Sequence, residues 1–187
     1  LKNSKKRHLT HDEVKTLIAA CDKTDYPSRN KAVVMLAFRH GFRATELCRL
    51  KWTDIDTHNH TVYIVRSKGG LNTTQPMQLD ELKMLNDWRR ERRVRFPSLE
   101  TDEIFLSQRN TQFTRIAFNQ LMAMLGKKAG LDFKPFPHML RHACGYHLVN
   151  QGCDIRLIQD YLGHRSLNGV IGYTKINPAR FKTFKWD

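Results

Sequence analysis

The sequence predicts an α+β fold, mainly α-helical, with a small antiparallel three-stranded sheet near the middle of the chain. Three observations carry this reading. Apolar residues recur at helical spacing along most of the chain. Residues 61–77 instead hold a β-branched and aromatic run, a glycine pair and a second extended run, as two strands around a turn would. Gly41, Pro97, Gly130, Gly152 and Gly163 each sit where a helical pattern stops. No stretch rich in Gly, Ser or Pro separates the elements, so residues 1–187 read as a single domain.

The elements follow in order. In LTHDEV, Thr10 can cap a helix, Glu13 stands where a capping box needs it, and Leu9 and Val14 can form the hydrophobic staple. Val14, Leu17, Ile18 and Cys21 then mark one face. A second helix spans about 28–40, and TELCRL makes a short third one. TVYIV (61–65) and 72–77 read as strands around SKGG, with Pro76 placing the second strand at a sheet edge or at its own end. Residues 79–95 form a helix with Leu82, Leu85 and Trp88 inward. The triplet 104–106 is the expected third strand. Helices over 114–128, from Pro137 to about 151, and from the Asp154 cap to Gly163 complete the chain.

The charge narrows the function. Lys and Arg number 32 against 18 Asp and Glu, a net charge of +14, which favours a polyanionic partner over a merely soluble basic surface. The four cysteines are scattered with no C-x-x-C pair, which argues against a disulfide scaffold or zinc ribbon and suits reduced, cytoplasmic thiols. The longest apolar run, 32–38, is too short to span a bilayer, and the basic N-terminus is not followed by an apolar signal segment, so no membrane partner is expected.

The chemistry concentrates in FPHMLRHACGY (136–146), which sets His138, Arg141 and His142 among apolar residues. Arg43 stands at a helix break, Lys68 at the tip of the strand turn and His164 at a helix end. Two arginines with histidines and a lysine can cage a phosphate: guanidinium binds its oxygens as a fork, while His and Lys move protons. Each residue also has an ordinary reading. Arg43 could cap a helix or pair with Glu46, Lys68 could be an exposed turn lysine, and His164 could be a cation at a helix C-terminus. HMLRH has zinc-like spacing, but Met139 stands where a metalloprotease needs Glu. No G-x-S-x-G, Walker loop or GxGxxG is present, and no metal or cofactor is expected. Among candidate nucleophiles, Tyr63 and Tyr161 read as packing residues. Tyr146 and Tyr173 both stay open on composition alone.

Together GFRATEL (41–47), RSKGG (66–70), HMLRH (138–142), LGHRS (162–166) and Tyr173 make the chain resemble the tyrosine recombinase (phage integrase) family, including the spacing from Arg141 to His164 and on to Tyr173. Within that family, the stretch from His138 to Ser166 is most similar to the Fim-type fimbrial phase-variation invertases, short enzymes without a separate N-terminal core-binding domain.

The resemblance implies that fold and its roles. Arg43 and Arg141 would hold the scissile phosphate. His138 and His164 would complete its contacts, with His138 assisting proton transfer from the nucleophile. Lys68 would protonate the departing 5′ oxygen, and Tyr173 would form a 3′-phosphotyrosine. Glu46 would support the Arg43 loop. A phenol with an ordinary pKa of about 10 needs a base or a positive field to attack at neutral pH. The expected partner is double-stranded DNA with inverted-repeat sites, bound by a homotetramer. Lys5, Lys6, Arg7, Arg89, Arg90, Arg92, Arg93, Arg115, Arg165 and Lys175 are the candidate DNA-facing residues, four of them from the five-arginine run WRRERRVRF (88–96). The tail 178–187, with Phe181, Phe184 and Trp186, would dock on a neighbouring subunit or pack on its own chain. Gly169 and Gly172, each costing a helix about 1 kcal/mol against alanine, make the segment bearing Tyr173 a marginal helix. The rival readings are a non-cutting DNA-binding regulator, an integrase- or excisionase-type fragment, a type IB topoisomerase and a metal-dependent nuclease.

Overall fold

One helix is apolar nearly all the way round, and the others pack on it. In the computed structural model, which describes residues 8–97 and 100–174, this is α2 (Pro27–Arg39). Ala32, Val33, Val34, Leu36, Ala37 and Phe38 of α2 are all buried, as expected of a helix covered on every side. The covering helices are α1 (His11–Ala20), α4 (Leu79–Arg95) and α6 (Pro137–Asn150). A short α3 (Ala44–Cys48) follows α2, and α5 (Arg115–Lys128) packs against α1, α3 and α6. α7 (Ile155–Leu162) and α8 (Asn168–Thr174) lie against each other and against α6. The buried apolar residues form one cluster running from Leu9 to Tyr173.

The helix ends are the ones the sequence announces. Thr10 and Glu13 form the capping box of α1, Glu13 N–H donating to Thr10 Oγ1 and Thr10 N–H to Glu13 Oε2. Asp154 accepts from the N–H groups of Arg156 and Leu157 at the start of α7. Gly163 ends that helix at φ +65°, a conformation that strains any residue with a Cβ.

The sheet has three antiparallel strands in the order β1 (Ile55–Asp56), β2 (Thr61–Ile64), β3 (Thr73–Pro76). β2 pairs with β3 from Thr61↔Pro76 to Ile64↔Thr73, leaving Pro76 on an edge strand. Val62 and Ile64 face the core, while Tyr63 points outward and accepts a hydrogen bond from Asn72 Nδ2. Tyr63 is therefore a surface residue and not a packing residue.

The count of strands holds, but the third strand is Ile55–Asp56 and not 104–106. Ile104, Phe105 and Leu106 are all buried, so the triplet has no solvent face to alternate with. Its two outer carbonyls are taken by side chains, as is that of Glu103 just before it, while Phe105 O accepts from Phe113 N–H at 3.0 Å. Trp88 Nε1 donates to Ile104 O at 2.7 Å, Arg92 Nη1 to Glu103 O at 2.5 Å, and Arg29 Nη1 to Leu106 O at 2.9 Å. Only isolated bridges remain, Lys51↔Glu103 and Leu106↔Gln112.

Trp88 thus fills the core and satisfies a buried carbonyl. Trp88→Ala is expected to cost about 3–5 kcal/mol. Trp88→Phe, which keeps most of the volume but orphans the Ile104 carbonyl, is expected to cost about 1–3 kcal/mol. Urea unfolding of the two variants checks the order.

Candidate active site

The site is built on the turn that closes α2. Gly41 adopts φ +57°, and a Cβ there would collide with Leu162 Cδ2, so the last turn of α7 presses directly on this glycine. Arg43 comes two residues later and precedes α3. The Gly41 carbonyl accepts from Arg141 Nη1 of α6, and from Arg66 Nη1 at 3.3 Å. Arg141 Nη2 donates to Leu162 O at 2.8 Å. Two guanidiniums from distant parts of the chain thereby meet on the carbonyl beside Arg43.

Glu46 is the opposite charge at the centre. One oxygen, Oε1, accepts from Arg43 Nη1 (2.7 Å), Ser67 N–H (2.8 Å) and Ser67 Oγ (3.0 Å). The other, Oε2, accepts from Arg43 N–H (2.9 Å) and Arg66 Nη1 (3.1 Å). Desolvation alone would raise this carboxyl, but the hydrogen bonds from Arg43 and Ser67 and the charge of Arg66 outweigh it and pull it down to about 2. The pairing of Arg43 with Glu46, foreseen as an ordinary role, coexists with Arg43 standing at the site.

Arg141 is 1% exposed, and desolvation followed by repulsion from Arg43 and Arg66 lowers it to about 10. His164 Nε2 lies 2.9 Å from Arg141 Nη2. Desolvation, then the charges of Arg141 and Arg43, push His164 down to about 4. It is a neutral ring at pH 7, not a cation at the end of α7. His138, in the first turn of α6, is lowered by desolvation and then by Arg141, Arg43 and Lys68. Lys68 stands exposed at φ +56° in the β2–β3 turn. Thus Arg43, Lys68, His138, Arg141 and His164 share one electrostatic neighbourhood.

Tyr173 of α8 lies at its edge. Its ring is 4% exposed and packs on Gly145 of α6, where a Cβ would come within 2.5 Å of Cε2. Tyr146 and His142 flank it edge-on, with ring centroids 5.1 and 5.7 Å away. The hydroxyl lies 3.2 Å from His142 Nδ1. Desolvation raises the phenol to about 12, against the downward pull of Arg141 and Arg43. Of the two tyrosines left open by composition, the Tyr173 hydroxyl lies against His142, and Tyr146 forms part of the Tyr173 enclosure.

Two residues in this cluster carried no assigned role in the sequence reading. His142 sits inside HMLRH, yet only the fold shows it against Tyr173. Arg66 sits inside RSKGG, and its signal was a charged residue in phase with the buried Val62 and Ile64 of β2.

The DNA-facing candidates divide. Arg89, Arg90 and Arg93 are exposed on α4, Arg115 at the start of α5, and Arg165 beside the Lys68 turn, its guanidinium carbon 3.7 Å from where a Cβ on Gly69 would stand. Arg92 is a correction: it is 6% exposed and spends its guanidinium on the carbonyls of Glu103 and Thr101, holding 101–106 to α4. Lys5, Lys6, Arg7, Lys175 and the tail 178–187 lie outside the described residues. No helix among the described residues is long and apolar enough to cross a membrane.

The model of the phage integrase family matches residues 7–180. The type 1 fimbriae regulatory protein FimB of Escherichia coli (strain K12) is 41% identical over 185 residues, covering 99% of this chain and 92% of FimB. The crystal structure of XerA recombinase superposes with a TM-score of 0.80 at 31% identity, over 94% of this chain and 62% of that one. XerH site-specific recombinase bound to its difH substrate, a pre-cleavage complex, gives 0.77 at 25% identity, over 97% of this chain and 53% of that one. The chain belongs to the phage integrase family of tyrosine recombinases.

Two outcomes follow from the geometry. The carboxyl of Glu46 titrates near 2 when folded, against an ordinary 4.5, so the stability it contributes is complete above 4.5 and is lost as pH falls toward 2. Glu46→Gln is expected to lose stability at pH 7, on the order of 3–5 kcal/mol, and to lose that acid-limb dependence; chemical denaturation at several pH values reads both. Gly145→Val is expected to displace the Tyr173 ring, at about 1–3 kcal/mol of stability. The rise in fluorescence quenching of tyrosine by acrylamide reports the displacement.

Proposed function

We propose that this tyrosine recombinase cuts and rejoins DNA at specific sites through Tyr173, and that it inverts a promoter-bearing element in fimbrial phase variation. The observation that carries the chemistry is the shared neighbourhood of Arg43, Arg141, His138 and His164 beside a phenol. Likeness to FimB over nearly the whole of both chains supports the fimbrial role.

The steps follow from the residues. A backbone phosphate between Arg43 and Arg141 gives its non-bridging oxygens to two guanidiniums that stay charged throughout. The Tyr173 oxygen attacks phosphorus, forming a phosphotyrosine bond to the 3′ side, while the bond from phosphorus to the 5′ oxygen breaks. Lys68 supplies the proton that the departing 5′ oxygen takes up. The phenolic proton passes to a histidine: burial and the surrounding cations lower both His138 and His164, the latter to about 4. The covalent bond keeps the free energy of the broken linkage, so a 5′ hydroxyl from another strand can reverse the step without ATP.

Tyr173 is enclosed in the DNA-free chain, so its hydroxyl must be uncovered before attack. The substrate is a duplex with inverted-repeat sites, and the working unit is a tetramer joined through residues 178–187. The excess of 32 basic over 18 acidic residues makes phosphate contacts the main source of affinity.

The decisive test is covalent trapping on a nicked duplex carrying the fimbrial inverted repeat. The wild-type chain is expected to form an adduct that survives denaturing electrophoresis, Tyr173→Phe to form none while binding the duplex normally, and Arg141→Ala to slow the adduct on the order of 10²–10³-fold. An adduct from Tyr173→Phe rejects the assignment. The logarithm of affinity is expected to fall linearly with the logarithm of salt concentration, and a flat salt response removes the DNA reading.

A further inference from the structure

We propose that Arg66 is a positioning residue for Lys68, riveting the β2–β3 turn to the scaffold that holds Arg43 and His164. The inference rests on the recombinase reading above and assigns a role to a residue that reading does not use.

The turn needs a rivet. The β2–β3 ladder ends at Ile64↔Thr73, so residues 65–72 lie beyond it. Val65, Lys68, Gly69 and Leu71 are exposed, and Lys68 and Gly69 both take positive φ. A lysine on such a loop has a flexible four-carbon stem and a mobile base. Proton transfer to a leaving oxygen needs hydrogen-bond reach at the moment the bond breaks.

Arg66 supplies the missing constraint. Its side chain is 0% exposed. Nη1 donates to Gly41 O (3.3 Å) and Glu46 Oε2 (3.1 Å); Nη2 donates to His40 O (3.0 Å) and Tyr161 O (2.8 Å). The guanidinium therefore ties the turn at once to the end of α2, to α3 and to the end of α7. Backbone contact seals the arrangement. Leu71 N–H donates to Gly163 O at 3.2 Å, a Cβ on Gly70 would lie 2.7 Å from that oxygen, and a Cβ on Gly163 would lie 2.7 Å from Arg66 Cγ. Gly70, Gly163 and the Arg66 stem fit only with both glycines bare.

Arg43 and His164 have supports that survive without Arg66. Arg43 keeps two bonds to Glu46, and the His164 segment keeps Arg141 on Leu162 O and Gln159 Nε2 on His164 O. The turn keeps Ser67 on Glu46 and Leu71 on Gly163 O, but it loses its one fully buried side chain and the bonds to His40 O, Gly41 O and Tyr161 O. Loss of Arg66 thus falls mainly on Lys68, and so on protonation of the 5′ oxygen.

A sulfur substitution isolates that step. In cleavage the bond from phosphorus to the 5′ bridging atom breaks as the tyrosyl oxygen bonds to phosphorus; an alkoxide needs a proton, whereas a thiolate, with a thiol pKa of about 8.5, leaves without one. Wild type, Lys68→Ala, Arg66→Lys and Arg66→Met are each incubated with two nicked duplexes that differ only in oxygen or sulfur at that position. Both are built on a sequence the wild-type chain selects from a randomised pool. Thermal melting and filter binding are read on every variant, and Arg66→Lys keeps the buried charge should Arg66→Met fail to fold.

The expected result is an adduct rate on the oxygen duplex reduced on the order of 10²-fold in Lys68→Ala and Arg66→Met and less in Arg66→Lys, with each restored to within about tenfold of wild type on the sulfur duplex. A folded Arg66 variant that cleaves the oxygen duplex at the wild-type rate, or that loses both duplexes equally, overturns the inference. A wild-type chain that forms an adduct with neither duplex overturns the recombinase reading beneath it.

Discussion

Burying Glu46 in the same place as three arginines is the constraint from which the rest of the site follows. A carboxylate loses several kcal/mol of hydration when buried and recovers it only if its lone pairs are filled. Here Arg43, Arg66 and Ser67 fill them. The Nη groups of Arg66 and Arg141 also donate to the carbonyls of His40, Gly41, Tyr161 and Leu162. These are the last carbonyls of α2 and α7 and the turn after α2, the groups a helix cannot pair internally. Two buried cations and two helix C-termini therefore solve one another's problem, since the negative end of each helix dipole faces a positive charge. Arg43 is left at the surface of this assembly, aimed by its backbone and side-chain hydrogen bonds to Glu46.

The same positive charge acts in opposite directions on the groups around it. It lowers His138 and His164, adding to desolvation, and brings His164 to about 4. It also draws Tyr173 down, but there desolvation dominates and the phenol ends near 12. The same cluster thus holds lowered imidazoles beside a phenol that burial keeps protonated. Its phenol is held by the bare backbone of Gly145 below, Tyr146 and His142 at the sides, and a hydroxyl contact to His142.

The helices were legible because their signals are local. The Thr10–Glu13 box, the Asp154 cap, and Pro97 and Gly163 at helix ends depend on neighbours within a turn or two. The 61–64 strand was legible for the same reason, its alternation surviving as Val62 and Ile64 inside and Tyr63 outside. The errors fell where a long-range partner decides. Residues 104–106 carry the composition of a strand, but side chains of Trp88 and Arg29 claim the carbonyls of Ile104 and Leu106. Arg92 looked like its exposed neighbours because Arg89, Arg90, Arg92 and Arg93 differ only in which way the helix turns each of them. β1 is two residues long, too short for any period to register.

The sequence by itself determined which elements form, the net charge of +14 that calls for a polyanion, and an ordered set of residues, Arg43, Lys68, His138, Arg141, His164 and Tyr173, whose types suit metal-free phosphoryl transfer. Only the tertiary structure decided that Arg66 is buried against Glu46, that His142 meets the Tyr173 hydroxyl, and that Arg92 turns inward. The reason is range. Propensity, capping and periodicity are set by residues a few positions apart, whereas the burial of a charge and the partner that compensates it are set by contacts between segments as much as a hundred residues apart, as Arg141 and Gly41 are.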